Sequence, residues 1–145
     1  MTFMEKCNSY VYFALSGDDF DPKIITDKIG ITPTSSWRKG DKGEYGHQKY
    51  STWQLSTAKG QEYFDIDKLV DEIVNKLFDK IEIINDLKRE LKIYSVIDII
   101  IDIDINPDIS TPALGHELRT IEFLYKTETI TDVDIYRFNS AYENK

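Results

Sequence analysis

The 145-residue chain has one cysteine and no long apolar run, and each scarcity excludes a class of protein. The single thiol, Cys7, excludes an internal disulfide and a cysteine-based zinc cluster, so we expect a small, partly buried thiol there. No apolar stretch approaches the ~20 residues of a membrane-spanning helix. The opening sequence MTFMEKCNSY also lacks the apolar core of a secretory signal. These absences together predict a cytoplasmic protein.

Basic residues are outnumbered as well. The chain has 18 lysines and arginines against 26 aspartates and glutamates, which gives a formal net charge of −8. Nucleic acids and anionic membranes are bound chiefly through lysine and arginine, so we expect neither as a partner. A basic protein is the partner that this charge favours.

Catalytic motifs are also missing. The two histidines have no second ligand at a metal-binding spacing, and no Ser-His-Asp, Cys-His or phosphate-loop pattern is present. We therefore expect no cofactor and no metal, and we favour a non-catalytic protein over an enzyme.

The apolar pattern predicts one domain, residues 1–145, with the order strand, helix, strand, long helix, strand, helix, strand. One-sided helices and strands bury their apolar sides by stacking in two layers. We expect an α+β two-layer sandwich of ferredoxin-like character, with a four-stranded, largely antiparallel sheet and three helices on one face. The predicted strands span 10–16, 49–58, 93–105 and 129–138.

Three helices are expected between these strands. Asp21 and Pro22 are typical of a helix start, and Gly30 of a helix end. A long helix is predicted from Asp65 or Asp67 to residue 91, and a third helix from Thr111 and Pro112. The residues expected to face the core include Trp53 of the second strand and Leu114, Leu118 and Ile121 of the third helix.

The segment 93–105 alternates with a period of two, which predicts a strand with isoleucines on one face and acids on the other. Its acidic residues are Asp98, Asp102 and Asp104, and the last strand adds Asp132 and Asp134. If the two strands are neighbours, these carboxylates converge. Three interpretations stay open: a Ca²⁺ or Mg²⁺ site, an anionic patch for a basic partner, or an ordinary solvated face.

The segment 31–48 is rich in glycine and poor in aliphatic residues, which predicts a long, mobile loop. Within it, a tryptophan ring beside two cations could hold an anionic or planar ligand by stacking and hydrogen bonding. Alternatively, Trp37 plugs the sheet edge while Arg38 pairs with Asp18 or Asp19. The candidate binding residues here are Trp37, Arg38, Lys39, Asp41, Asp18 and Asp19.

Several stretches, taken in order, resemble one bacterial family. They are YVYFALSGDDFDP, KIITDKIGITPT, WRKGDKG, YSTWQLST and ITDVDIYRF. Together they resemble the domain-of-unknown-function family 4279 across nearly the whole chain. The resemblance implies a small stand-alone bacterial domain with no established reaction, and it points to immunity proteins against secreted toxins as a functional class.

The hypothesis that follows is a non-catalytic, cytoplasmic protein-binding domain, specifically an immunity protein that neutralises a bacterial toxin. The alternative is a small-ligand sensor or an enzyme built around Trp37, Arg38 and Asp18. The exposed edges of a small sheet would also allow a dimer, although the sequence specifies no two-fold contact.

Overall fold

A computed structural model of the chain describes residues 8–60 and 65–143, so the prediction for the Cys7 thiol lies outside the described residues. The structure is mixed α+β. Its strands are β1 (Tyr10–Gly17), β2 (Ser35–Trp37), β3 (Lys42–Gly43), β4 (Gly46–His47), β5 (Ser51–Ser56), β6 (Tyr94–Asp104) and β7 (Ile130–Phe138). Its helices are α1 (Pro22–Ile29), α2 (Ile66–Leu77), α3 (Ile81–Leu91), α4 (Leu118–Thr127) and the short α5 (Ser140–Glu143).

The main sheet has five strands in the order β2-β5-β1-β6-β7, one more than predicted. The additional strand is β2, which lies within the segment 31–48, and β3 and β4 form a separate small hairpin there. The mobility expected of this segment stays a prediction. All pairings in the main sheet are antiparallel except β6 with β7. A split βαβ unit would place a strand between β6 and β7, so the ferredoxin-like description does not fit this order.

The core lies between one face of the sheet and the helices. Along β1, Val11, Phe13 and Leu15 are completely buried, and they belong to the same apolar cluster as the inner residues of the helices. Trp53 of β5 is also fully buried, as predicted, and its Nε1 donates a hydrogen bond of 3.0 Å to Thr26 Oγ1 of α1. These helices do not cover the opposite face of the sheet.

The start and end of α1 confirm the sequence signals. Asp21 Oδ1 accepts a hydrogen bond of 3.0 Å from the backbone nitrogen of Lys23, and Pro22 occupies the first helical position. The helix ends at Gly30, whose φ of 77° is the left-handed conformation that glycine adopts without strain.

The single long helix predicted up to residue 91 is wrong, because a 3-10 turn at Phe78–Lys80 divides it into α2 and α3. The helix α2 packs on β1 and α4, whereas α3 packs on α1 and α4. The Arg119 guanidinium lies 4.0 Å from the centre of the Phe78 ring and fixes the turn against α4. Neither proline nor glycine occurs at the break, so the bend is a consequence of packing that local pattern does not reveal.

The predicted start of the third helix at Thr111 and Pro112 is also wrong, since α4 begins at Leu118. The preceding segment is held by α2 instead: Ala113 offers its carbonyl oxygen to the Ile66 backbone nitrogen at 2.9 Å. Because the helix starts later, its inward face changes. Leu114, Leu118 and Ile121 are exposed, and Thr120, Phe123 and Thr127 are buried.

The alternation predicted for the third strand holds over most of β6. Ile97, Ile99 and Ile101 are buried on the helix side, while Asp98 and Asp102 lie on the other side and are half-buried. None of the described helices combines the length and the apolar character needed to cross a membrane.

Candidate functional site

The sheet face away from the helices brings tyrosines and aspartates together. Tyr12 of β1 lies opposite Asp98 of β6, and Asp98 lies opposite Asp132 of β7. Each pair shares this face because side chains directly opposite each other on neighbouring strands point the same way. We call the surface formed by Tyr12, Tyr50, Tyr94, Asp98, Asp132 and Asp134 the tyrosine–aspartate face.

A shallow depression of about 230 Å³ lies in this face. Ala14, Ser16 and Val96 line it between the three tyrosines, and Asp98 and Asp132 also line it. Because Ala14 and Ser16 are small and lie between large tyrosine rings, the surface is recessed at this point. The tyrosines and the two aspartates form the walls of the depression.

Asp98 is the electrostatic centre of the face. Its Oδ2 accepts a hydrogen bond of 2.8 Å from the Tyr12 hydroxyl. Its Oδ1 is shielded from solvent and accepts from no donor group of the described residues. Burial raises the pKa of the Asp98 carboxyl, the hydrogen bond from Tyr12 lowers it, and hydrogen bonding with Asp134 and the charges of Asp134 and Asp132 raise it. The net shift is upward, so the Asp98 carboxyl takes up a proton more readily than an ordinary aspartate does and can share it with Asp134.

Tyr12 shares this environment. Burial and the hydrogen bond to Asp98 raise the pKa of the Tyr12 hydroxyl well above its ordinary value. The hydroxyl therefore stays protonated at neutral pH and donates to Asp98. It is a positioning group and not a base.

The other two predicted acids of β6 are occupied by backbone groups. Asp102 Oδ2 accepts from the backbone nitrogen of Asn8 at 2.7 Å. Asp104 Oδ1 accepts from the backbone nitrogens of Asn106 and Ser140 at 3.0 and 3.1 Å. Of the five acids singled out in the two strands, the structure brings together Asp98, Asp132 and Asp134.

The charges of the Trp37 turn are paired within the chain. Arg38 Nε lies 3.1 Å from Asp19 Oδ1, and Lys39 Nζ lies 3.1 Å from Asp18 Oδ1. Asp41 Oδ2 accepts from the Arg38 backbone nitrogen at 2.8 Å. This is the structural alternative considered from the sequence, in which the turn docks against the start of α1.

The Ser51 side chain also holds the Trp37 turn in place. Its buried hydroxyl oxygen accepts from the backbone nitrogens of Phe20, at 3.1 Å, and Lys39, at 2.9 Å. The Trp37 ring packs edge-on against Tyr50, with ring centres 5.9 Å apart. Trp37 Nε1 is shielded from solvent and has no acceptor among the residues that the structure describes.

A larger depression of about 820 Å³ lies at the end of α4. Lys88 lines it and is half-buried, and its Nζ donates to Ser95 Oγ at 2.8 Å, to the Glu128 carbonyl at 3.1 Å and to the Thr127 carbonyl. Partial burial lowers the pKa of Lys88. The ammonium has three donors, and these bonds use them to terminate α4. The Lys88 ammonium is thus engaged within the chain.

Three carboxylates outside the tyrosine–aspartate face could be considered for a metal ion. Oxygens of Asp67, Asp71 and Glu117 lie within 4.8 Å of one another, and Thr120 Oγ1 donates to Asp71 at 3.5 Å. The sequence did not single out this group, because its members come from α2 and from the residue before α4. Within 8–60 and 65–143, the carboxylates of the tyrosine–aspartate face are not grouped as closely.

Sequence reasoning missed the tyrosines of the site. Tyr12 and Tyr94 occupy outward positions of strands whose alternation was recognised, and Tyr50 directly precedes β5. The sequence did contain a signal for them, namely large aromatic residues at strand positions predicted to face solvent. Their convergence depends on the order β5-β1-β6, which the pattern did not specify.

Searches of the curated proteins and of the solved structures find no significant match. A family model matches residues 5–138, nearly the whole chain, and it is described as a domain of unknown function, DUF4279. The chain therefore belongs to the DUF4279 family, as the resemblance of its sequence stretches indicated.

Proposed function

We propose that this chain is a non-catalytic protein-binding domain that engages a basic partner through the tyrosine–aspartate face. The observation that carries the proposal is the exposed chemistry of this face, where Tyr94 is 60% exposed and the carboxylates of Asp132 and Asp134 are exposed as well. Such carboxylates can pair with lysine or arginine side chains of a partner protein.

The surface chemistry supports a protein partner. Tyrosines supply large contact area with little loss of side-chain entropy, and they are enriched at the energetic centres of interfaces. Asp132 and Asp134 are exposed beside Asp98, and the net charge of −8 adds long-range attraction for a basic protein. Both effects favour fast and specific association.

The class of partner that we propose is a bacterial toxin, with this domain as its cytoplasmic immunity protein. A toxin that acts on nucleic acid carries a basic groove, because phosphate contacts require lysine and arginine. An acidic face that covers such a groove would block the substrate. The domain would then act by binding the toxin and would catalyse no reaction itself.

The test is co-expression with each toxin candidate encoded by a neighbouring gene. We expect the wild-type protein to restore growth and to co-purify with the toxin. The double variant Asp132→Lys plus Asp134→Lys should lose both effects. Asp27→Lys plus Asp79→Lys makes the same charge change on exposed helical positions and should keep both. Equal protection by both double variants would contradict a role for the face.

A second candidate function is a small-ligand sensor or an enzyme that uses the Trp37 loop. Trp37 Nε1 favours it, because this donor has no acceptor among the residues that the structure describes and would suit a ligand with an acceptor oxygen. The atom is shielded from solvent, so a ligand would have to open the turn to reach it. Such a ligand would have to compete with the pairs that Asp19 and Asp18 make with Arg38 and Lys39. A thermal shift with a metabolite that Arg38→Ala abolishes would support it, and the absence of any such shift across a metabolite panel would count against it.

A further inference from the structure

We propose that β7 receives an extended segment of the basic partner protein along the edge that faces away from β6, so that the segment joins the sheet as an additional strand. In this segment, lysines or arginines would alternate with apolar residues. The inference rests on the proposed function and specifies how the partner binds. It follows from three features of β7: its long outer edge, exposed apolar residues on one side, and aspartates on the other.

The outer edge of β7 offers a row of backbone groups. β7 has nine residues, and none of the described strands pairs with it on the side away from β6. The Phe138 carbonyl points towards β6, because it accepts from the Ile105 backbone nitrogen at 2.8 Å. The N–H and C=O groups of successive residues alternate between the two edges of a strand, so every second residue of β7 directs them outward. These residues are Thr131, Val133, Ile135 and Arg137.

The opposite edge of the sheet is less suited to an added strand. It is formed by β2, which has only three residues. A short edge strand gives an incoming chain few backbone groups to bond to. Strand addition therefore gains more main-chain hydrogen bonds at β7 than at β2.

The helix side of β7 carries apolar residues that the helices leave exposed. Val133 and Ile135 are register partners of Ile99 and Ile101, which are buried on that side. Val133 is nevertheless 42% exposed, and Ile135 is 58% exposed. Side chains directly opposite them in an added strand would lie about 4.5–5.5 Å away and would remove apolar surface from water. The apolar residues of the added segment therefore belong on this side.

The other side of β7 selects the charge of the segment. Asp132 and Asp134, which belong to the tyrosine–aspartate face, are exposed there, and none of the ion pairs among the described residues involves them. Lysines or arginines opposite them would form favourable cross-strand pairs, whereas acidic residues would be repelled. Because successive side chains of a strand point to opposite faces, basic and apolar residues must alternate in the partner segment.

A second copy of this chain fits the same edge less well. Antiparallel pairing of β7 with itself about Val133 would place Asp132 opposite Asp134, and pairing about Asp134 would place that residue opposite its own copy. Pairing about Ile135 avoids these contacts but gives neither aspartate a cation. The net charge of −8 adds repulsion between copies. The charges on this edge thus favour a basic segment over self-association.

The test is amide hydrogen exchange followed by NMR, with the blocked peptide Lys-Val-Lys-Val-Lys-Val as the probe. In the free protein, the amides of Val133 and Ile135 should exchange quickly because they face outward, whereas those of Asp132 and Asp134 are protected by β6. An excess of the peptide should slow exchange at Val133 and Ile135 several-fold. Lys-Lys-Lys-Val-Val-Val, which has the same composition without alternation, and the acidic Glu-Val-Glu-Val-Glu-Val should leave both rates unchanged.

A matched pair of variants tests the backbone contact. Val133→Pro removes one outward N–H, which edge strands tolerate, and should weaken peptide binding about tenfold. Val133→Thr keeps the N–H and the β-branched shape and should weaken it by no more than about threefold. Circular dichroism checks that both variants are folded. Unchanged exchange at Val133 and Ile135 in the wild type with excess peptide, or equal binding by the two variants, would overturn the inference.

Sedimentation of the free protein tests the other occupant of this edge. We expect a monomer. A dimer that Val133→Pro converts to a monomer would show that a second copy occupies the edge, and it would overturn the inference.

The failure of this inference can be told apart from failure of the proposed function. If toxin binding is lost on Asp132→Lys plus Asp134→Lys, but Val133→Pro keeps full affinity for the toxin, strand addition is overturned and the protein-binding role stands. If the peptide protects the outward amides of β7 while no toxin is neutralised, strand addition is supported and the immunity role is contradicted.

Discussion

The Trp37 turn and the Asp98 centre both combine aromatic rings with charged side chains, yet they differ in how the charges are satisfied. In the turn, Arg38 and Lys39 each contact a carboxylate 19 or 21 residues earlier in the chain. At the centre, Asp98 accepts a hydrogen bond from Tyr12 but lies beside the carboxylates of Asp134 and Asp132, which raise its pKa. Opposite charges that pair within the chain stabilise the turn, whereas neighbouring carboxylates repel one another and attract a proton or a cation.

This difference favours a structural role for the turn and is consistent with the binding role proposed for the tyrosine–aspartate face. The turn was the stronger binding candidate in the sequence, because tryptophan, arginine and lysine are adjacent there. In the structure both cations form ion pairs with aspartates, and the Ser51 hydroxyl accepts a hydrogen bond from the backbone of the turn. The aspartates of β6 and β7 were one of several open interpretations, and they now form the best-supported site.

The largest effect is expected from removing the hydroxyl beneath the turn. Ser51→Ala leaves the Phe20 and Lys39 backbone nitrogens without their acceptor, which should lower the free energy of unfolding by about 2–4 kcal/mol. Urea unfolding measures this loss of stability. Ser56→Ala removes one donor bond to the Thr57 carbonyl on the same strand and should cost about 1 kcal/mol or less. If the two variants are equally stable, Ser51 does not fix the turn.

At Asp98, by contrast, we expect a substitution to raise the free energy of unfolding. Asp98→Asn removes a charge that burial and neighbouring carboxylates disfavour, and it supplies a donor beside Asp134. We expect a gain of about 1 kcal/mol in the free energy of unfolding at pH 7.5, since solvent screens part of the repulsion. Asp27→Asn, on an exposed helical position, should change it by less than about 0.5 kcal/mol. Destabilisation by Asp98→Asn would show that the hydrogen bond from Tyr12 stabilises the charged carboxylate by more than burial and the neighbouring carboxylates disfavour it.

The pH dependence of stability follows from the same carboxyl. The folded-state pKa of Asp98 is raised, so the folded state binds more protons than the unfolded state between the ordinary value of 3.8 and the raised one. The wild type should therefore gain stability relative to Asp98→Asn as the pH falls from neutral towards the ordinary value of 3.8. Urea unfolding at a series of pH values measures this difference. A difference that stays constant down to the ordinary value would contradict the raised pKa.

The smallest effect is expected from the ion pair of Arg38 and Asp19. Both side chains are 51% exposed, so a double-mutant cycle with Arg38→Ala and Asp19→Ala should give a coupling energy of about 0.2–1 kcal/mol that decreases with added salt. A coupling well above 1 kcal/mol would mean that this pair organises the turn more strongly than Ser51 does.

Much of the fold could be predicted from local signals. The cap at Asp21, the stop at Gly30, the buried Trp53 and the inward isoleucines of β6 all follow from residue chemistry and spacing. What failed depended on contacts distant in sequence. The break at Phe78–Lys80 has no local marker, and Pro112 does not start a helix because Ala113 is bonded to Ile66 instead.

The candidate site was predictable only in part, for the same reason. Alternation placed Asp98, Asp132 and Asp134 on outward faces, but only the parallel pairing of β6 with β7 brings them together. Asp102 has the same alternation and is occupied by the Asn8 backbone nitrogen. Asp98 accepts from a side chain, Tyr12, and has the carboxylates of Asp134 and Asp132 beside it, whereas Asp102 accepts from a backbone nitrogen. A pattern of residue types does not contain this difference.

The most direct test is the titration of the Asp98 carboxyl carbon by ¹³C NMR in the wild type and in Asp134→Asn. The account predicts that Asp98 titrates above the ordinary value for aspartate in the wild type and that Asp134→Asn lowers its pKa, because one neighbouring carboxylate no longer disfavours the charged form. An ordinary pKa in the wild type, or a raised pKa that Asp134→Asn leaves unchanged, would contradict it.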